Sequence, residues 1–168
     1  MSYITFNHRP FWAILLITCV AMMAVALFYQ YSLGHEPCVL CVHIRAWVIA
    51  LGLISAAALI IPSAGFRVVS FLASIGVIGM FGENVTDLWL IETGRKMGSC
   101  SWSAGFPDYL PLNEWAPFLF EIGGICGQSP EMLLGITMAE SLLGVSLFMV
   151  AMFLVSLSFT IYPGIKVR

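Results

Sequence analysis

A chain of 168 residues that is 60% apolar and 10% charged, with a net charge of −2 and a mean hydropathy of +0.97, lacks the polar surface that a water-soluble domain of this size needs. Those proportions exclude a soluble enzyme and, with no basic cluster, a nucleic-acid-binding protein. A helix that crosses the hydrocarbon core of a bilayer uses about 20 apolar residues, and four stretches qualify, at residues 11–31, 43–61, 66–90 and 133–161. The expected fold is an all-α membrane protein, a single domain over residues 1–168 built as a four-helix bundle.

In chain order, the first stretch has some marks of a cleavable signal peptide, with His8 and Arg9 ahead of it and Ala24-Val25-Ala26 resembling a cleavage site. The apolar run continues through Leu27-Phe28-Tyr29, where a cleavage region is normally more polar, so the stretch is read as a retained span. A short loop, residues 32–42, follows and carries Cys38-Val39-Leu40-Cys41. Pro37 suits the first position of a helix, which places both cysteines in the first turn of the second span, at the positive end of its dipole. Arg45 lies four residues beyond Cys41 and so on the same helix face. An arginine just inside an apolar span needs a reason: it either reaches back to the interface or stabilises a Cys41 thiolate and an electron-rich ligand.

The second and third spans are joined by Pro62-Ser63-Ala64-Gly65 and form an antiparallel hairpin. The third closes on Glu83, Asn84 and Asp87, to which the sequence assigns no role. The second loop, residues 92–132, is long and rich in Gly, Pro and Trp, as functional loops often are. Its Trp102, Phe106, Tyr109, Leu110, Leu112, Trp115, Phe118, Leu119 and Phe120 argue against disorder. Residues 112–122 read as a short amphipathic helix broken by Pro117 and lying in the headgroup layer. In the fourth span Glu140 either snorkels to the interface or moves protons. Charge sets the orientation: Arg9, Arg67, Lys166 and Arg168 occupy the termini and the short turn, whereas Glu36, Glu92, Asp108, Glu114, Glu121 and Glu131 mark the other side. Basic ends face the cytoplasm, so both termini are expected inside and both cysteine loops outside.

Five cysteines are present, Cys19, Cys38, Cys41, Cys100 and Cys126. Cys19, mid-span among apolar neighbours, reads as a packed small side chain. The other four fall on the outer side, where disulfides persist. Two structural bridges are one reading. A zinc site from His35, Cys38, Cys41 and His43 is another, with ligands crowded into nine residues. A covalent haem is excluded because Val42 separates Cys41 from His43. The third reading is a reactive couple at a membrane boundary, joined to an exposed bridge between Cys100 and Cys126 that another protein's thiolate can reach.

Cysteine order, spacing and flanks narrow the choice. Pro37-Cys38-Val39-Leu40-Cys41 with Arg45, then Cys100, Phe106-Pro107, Leu110-Pro111-Leu112-Asn113-Glu114-Trp115-Ala116-Pro117 and Gly124-Ile125-Cys126 resemble the disulfide bond formation protein B family (DsbB and the related DsbI) over nearly the whole chain. The resemblance implies a four-helix thiol:quinone oxidoreductase of the bacterial inner membrane. Such an enzyme reoxidises the periplasmic thioredoxin-like oxidant DsbA and passes electrons to ubiquinone, or to menaquinone without oxygen. It further implies that Cys100 forms the mixed disulfide with the partner and Cys126 is its bridge partner. Cys38 would exchange with that pair, and Cys41 would face the quinone beside Arg45, Met138 and Leu142. Ala139-Glu140-Ser141 departs from members that carry proline and an aromatic after the methionine. Vitamin K epoxide reductase-type enzymes also combine four spans with four such cysteines, but there the Cys-x-x-Cys follows the loop pair. A non-enzymatic membrane protein with stapled loops or zinc is the rival from another class.

Overall fold

The computed structural model describes residues 9–97, 105–106, 111–124 and 135–161, with the backbone alone at 159–161. Cys100 and Cys126 lie outside the described residues, as do Trp102, Asp108, Tyr109, Leu110, Glu131, Lys166 and Arg168. Four long helices form the bundle: α1 (Arg9–Ser32), α2 (Val39–Ile60), α3 (Ala64–Glu92) and α6 (Met138–Ile161), with two single turns, α4 (Leu112–Trp115) and α5 (Pro117–Phe120), between the last two. All four long helices are long and apolar enough to cross a membrane, as expected for spans of about 33–44 Å at 1.5 Å per residue.

The elements end where local chemistry ends them. α3 stops in a Schellman motif: Gly94 takes φ of 70°, its N–H bonds the Ile91 carbonyl and the Arg95 N–H bonds that of Leu90, a conformation that glycine adopts without steric cost. α6 begins later than the apolar run suggests. Gly135 sits at φ of 77°, outside the helical region, and Thr137 caps the first turn. Its Oγ1 accepts the Glu140 N–H at 3.3 Å while a Glu140 carboxylate oxygen accepts the Thr137 N–H at 3.1 Å. This is a capping box. Glu140 is exposed and finishes a helix end. The expected interfacial helix is also revised: it splits at Ala116 (φ −141°, ψ 68°), because the residue before a proline is pushed out of the α region, and it ends at Phe120, two residues early.

α1 packs on α2, α2 on α3 and α3 on α6. Small residues allow the close approaches, as expected where lipid supplies no hydrophobic drive between helices: Gly52 lies against Cys19, and Gly82 against Ser146. Cys19 is buried, the packed position expected of it. At the end that carries the residue 61–63 turn, Phe11, Trp12, Phe71 and Phe153 form an aromatic cluster. Phe71 and Phe153 stack at 4.9 Å, and Phe11 meets Phe153 edge-on at 5.2 Å. At the opposite, loop-bearing end, Asp87 pairs with Lys96 at 2.6 Å and Arg95 lies over the Trp89 ring. Among the described residues, α1 and α6 lack the broad interface each shares with its other neighbour. A cavity occupies the gap between them near the loop end.

Candidate functional site

Cys38 is the N-cap of α2, not a member of its first turn: the helix begins at Val39, and Pro37 precedes the cap. With Cys38 extended (φ −81°, ψ 169°), its Sγ accepts the Cys41 N–H at 3.3 Å, the place a serine or aspartate oxygen takes in an ordinary cap. The Cys38 and Cys41 sulfurs lie 2.7 Å apart. Both sit at the positive end of a 22-residue helix, where partial charges on unsatisfied N–H groups favour an ionised sulfur. Cys38 is buried, while Cys41 keeps partial exposure toward the cavity.

Arg45 is 5% exposed and does not reach out to solvent. Its Nη1 donates to Gln30 Oε1 at 2.5 Å and to the Leu119 carbonyl at 2.9 Å, and its Nη2 donates to the Ala26 carbonyl at 3.4 Å. One guanidinium thus ties α1, α2 and the end of α5 together. A guanidinium has five N–H groups. Two of them make no hydrogen bond among the described residues, which leaves a fixed cation with spare donors at the cavity wall.

The cavity holds about 440 Å³ and is lined by Cys38, Cys41 and Arg45 from the α2 end, by Ile17, Met22, Ala26 and Tyr29 from α1, and by Met138, Leu142 and Val145 from α6. Its size falls in the range of small-molecule sites. The wall is mostly apolar; its polar members are Arg45, the two cysteines, Thr18, Tyr29, His35, Glu36 and Ser141. Cys38, Cys41, Arg45, Met138 and Leu142, named from sequence, thus share one space, although Met138 and Leu142 stand about 100 residues along the chain from Cys38. The donor set fits a flat ring that carries carbonyl oxygens on a greasy tail: an apolar slot between two helices, a guanidinium for an oxygen and a sulfur pair beside it. His35 stacks on Tyr29 and His43 packs on Phe106. Among the described residues no group of three His, Cys, Asp or Glu side chains is placed to hold a metal ion.

The aromatic segment roofs this end. Phe120 is buried and meets Phe106 edge-on, the Tyr31 hydroxyl donates to the Phe118 carbonyl at 2.8 Å, and Trp115 and Phe118 stay 66% and 60% exposed, as interfacial anchors do. Sequence reasoning missed Gln30, Tyr29 and the Leu119 carbonyl. Gln30 carried a faint signal, since it is the one side-chain amide in an otherwise apolar α1.

The family model for "Disulfide bond formation protein DsbB" matches residues 8–156. The chain is 30% identical to "Disulfide bond formation protein B 2" of Pseudomonas aeruginosa over 158 residues, covering 91% of this chain and 92% of that protein. It is 33% identical to "Disulfide bond formation protein B" of Shewanella loihica, with 80% of each chain covered, and 32% identical to the protein of that name from Idiomarina loihiensis, over 78% of this chain and 75% of the other. With four membrane-capable helices and a dithiol at the head of the second, the chain belongs to the disulfide bond formation protein DsbB family of multi-pass membrane oxidoreductases.

Proposed function

We propose that this protein is a thiol:quinone oxidoreductase of the bacterial inner membrane, with both termini cytoplasmic, that reoxidises a periplasmic DsbA-like, thioredoxin-fold dithiol. A thiolate of the reduced partner attacks the Cys100–Cys126 disulfide at Cys100, and Cys126 leaves. Exchange with the Cys38–Cys41 disulfide releases the oxidised partner and leaves Cys38 and Cys41 reduced. A quinone in the cavity, ubiquinone or menaquinone without oxygen, supplies an acceptor for two electrons and two protons. The chain's own residues prepare that transfer. The N-terminus of α2 favours the Cys41 thiolate, Arg45 offers a preorganised cation where negative charge develops on an oxygen, and Met138 and Leu142 shape the apolar wall.

The observation that carries this reading is the shared cavity: a dithiol, a buried guanidinium with spare donors and an apolar wall from α1 and α6, at the loop-bearing end of the bundle. The test is anaerobic mixing of purified protein with reduced partner and ubiquinone, followed by quinone absorbance. Turnover is expected, and Cys41→Ser should abolish it while membrane insertion persists. Normal turnover in Cys41→Ser would overturn the assignment.

A further inference from the structure

Beyond α5 the chain returns across the loop end and passes over the two residues that precede the dithiol. The N–H groups of Gly123 and Gly124 both donate to the Pro37 carbonyl, at 3.3 and 3.2 Å. A Cβ on Gly124 would collide with the backbone carbonyl oxygen of Glu36 and crowd the carbonyl carbons of Glu36 and Pro37, at 3.2 and 3.4 Å. A Cβ on Gly123 would meet the Glu36 side chain instead, at its carboxylate and, at 3.0 Å, its Cβ. Neither glycine is in the left-handed region, which among the described glycines is confined to Gly34, Gly94, Gly105 and Gly135. Closeness of two backbones, not backbone conformation, therefore excludes a side chain at 124. Cys38 follows Pro37 directly, and Cys126 follows Gly124 by two residues.

We propose that Gly123 and Gly124 are positioning residues, a backbone latch that holds the stem of the second outer loop on Pro37 and sets the rate at which the loop cysteines exchange with Cys38–Cys41. This rests on the loop-to-loop exchange proposed above. In the step it governs, the Cys126 thiolate forms a bond to Cys38 Sγ, the Cys38–Cys41 bond breaks and Cys41 leaves as a thiolate. One disulfide replaces another, and no electrons leave the chain. Two residues of chain span at most about 7 Å, so the latch keeps Cys126 tethered near the N-cap of α2. Released, the stem is held no nearer than buried Phe120 and the Leu119 carbonyl on Arg45; six residues then reach about 20 Å, and the effective concentration of the attacking sulfur falls.

The test isolates this step from quinone and partner. Full-length protein carrying Cys41→Ser and Cys100→Ser is oxidised with diamide in lipid nanodiscs, and formation of the Cys38–Cys126 bond is timed by gel mobility. Gly124→Ala should slow it about tenfold or more. Gly123→Ala should slow it less, and adding Glu36→Ala, which removes the carboxylate and leaves only the 3.0 Å Cβ contact, should restore most of the rate of Gly123→Ala but not of Gly124→Ala, a pattern that general unfolding would not give. An unchanged rate in Gly124→Ala, or rescue of both variants by Glu36→Ala, overturns the proposal. Should Gly124→Ala fail to accumulate in membranes, the Gly123→Ala pair decides: rescue supports the latch and no rescue refutes it. Failure of the relay itself reads differently, as a parent chain that forms the bond quickly yet does not turn over with partner and quinone.

Discussion

Arg45 should be the most sensitive position at the loop end, and its replacements separate hydrogen bonding from charge. Its two short bonds, 2.5 Å to Gln30 and 2.9 Å to the Leu119 carbonyl, each join a neutral acceptor to a charged donor, and such bonds contribute about 1.5–3 kcal/mol apiece. The 3.4 Å bond to Ala26 lies at the limit of useful geometry and adds little. Arg45→Ala thus forfeits about 3–6 kcal/mol gross; water can reach the vacated acceptors near the interface, which leaves a net loss of about 3 kcal/mol. For a chain of this length that corresponds to a fall in melting temperature of about 6–12 °C. Arg45→Lys keeps the charge but not the planar fork, can hold one acceptor, and should lose about half as much. Thermal unfolding in detergent, followed by circular dichroism, measures both. In parallel, quinone reduction driven by dithiothreitol should vanish in Arg45→Ala and survive in weakened form in Arg45→Lys. An Arg45→Ala melting temperature within about 2 °C of the parent would refute the three-way clamp.

Other substitutions probe separate parts of the site. Leu142→Trp, which fills the cavity from the α6 side, should raise the KM for quinone about tenfold and leave thiol exchange with the partner unchanged; equal losses in both would mean general disruption. Thr137→Ala removes one half of the capping box and should cost about 1 kcal/mol, read by thermal unfolding. Glu140→Gln preserves that box chemistry and should leave stability and quinone reduction near parental values; loss of quinone reduction alone would return Glu140 to proton transfer.

The four spans were legible because a bilayer demands long apolar runs, and the runs survive in any order of residues. The alignment of Cys41 and Arg45 was legible from helix periodicity alone. Helix starts were less so. Cys38 takes the cap because its sulfur accepts a backbone N–H, a role sequence rules reserve for oxygen-bearing residues, and Pro37 drew the expected start too far forward. The capping role of Glu140 was written in Thr137-Met138-Ala139-Glu140, a capping-box spelling overshadowed by the apolar Leu133-Leu134-Gly135-Ile136 just before it. What the sequence does not display are meetings across long separations. Arg45 with Leu119 and Gly124 with Glu36 each join points more than 70 residues apart, and only the folded chain pairs them.

The aromatic cluster of Phe11, Phe71 and Phe153 has a mechanical corollary. It pinches α1 to α6 at one end of the bundle, as the spring of a clothes-peg joins its two arms. A 24-residue arm is about 36 Å long, so a tilt of only 5° about the pinched end moves the far tip by about 3 Å, nearly the thickness of an aromatic ring. For the quinone proposed above, such a tilt is room enough to pass sideways between α1 and α6 while the contacts of Phe11 with Phe71 and Phe153 stay intact.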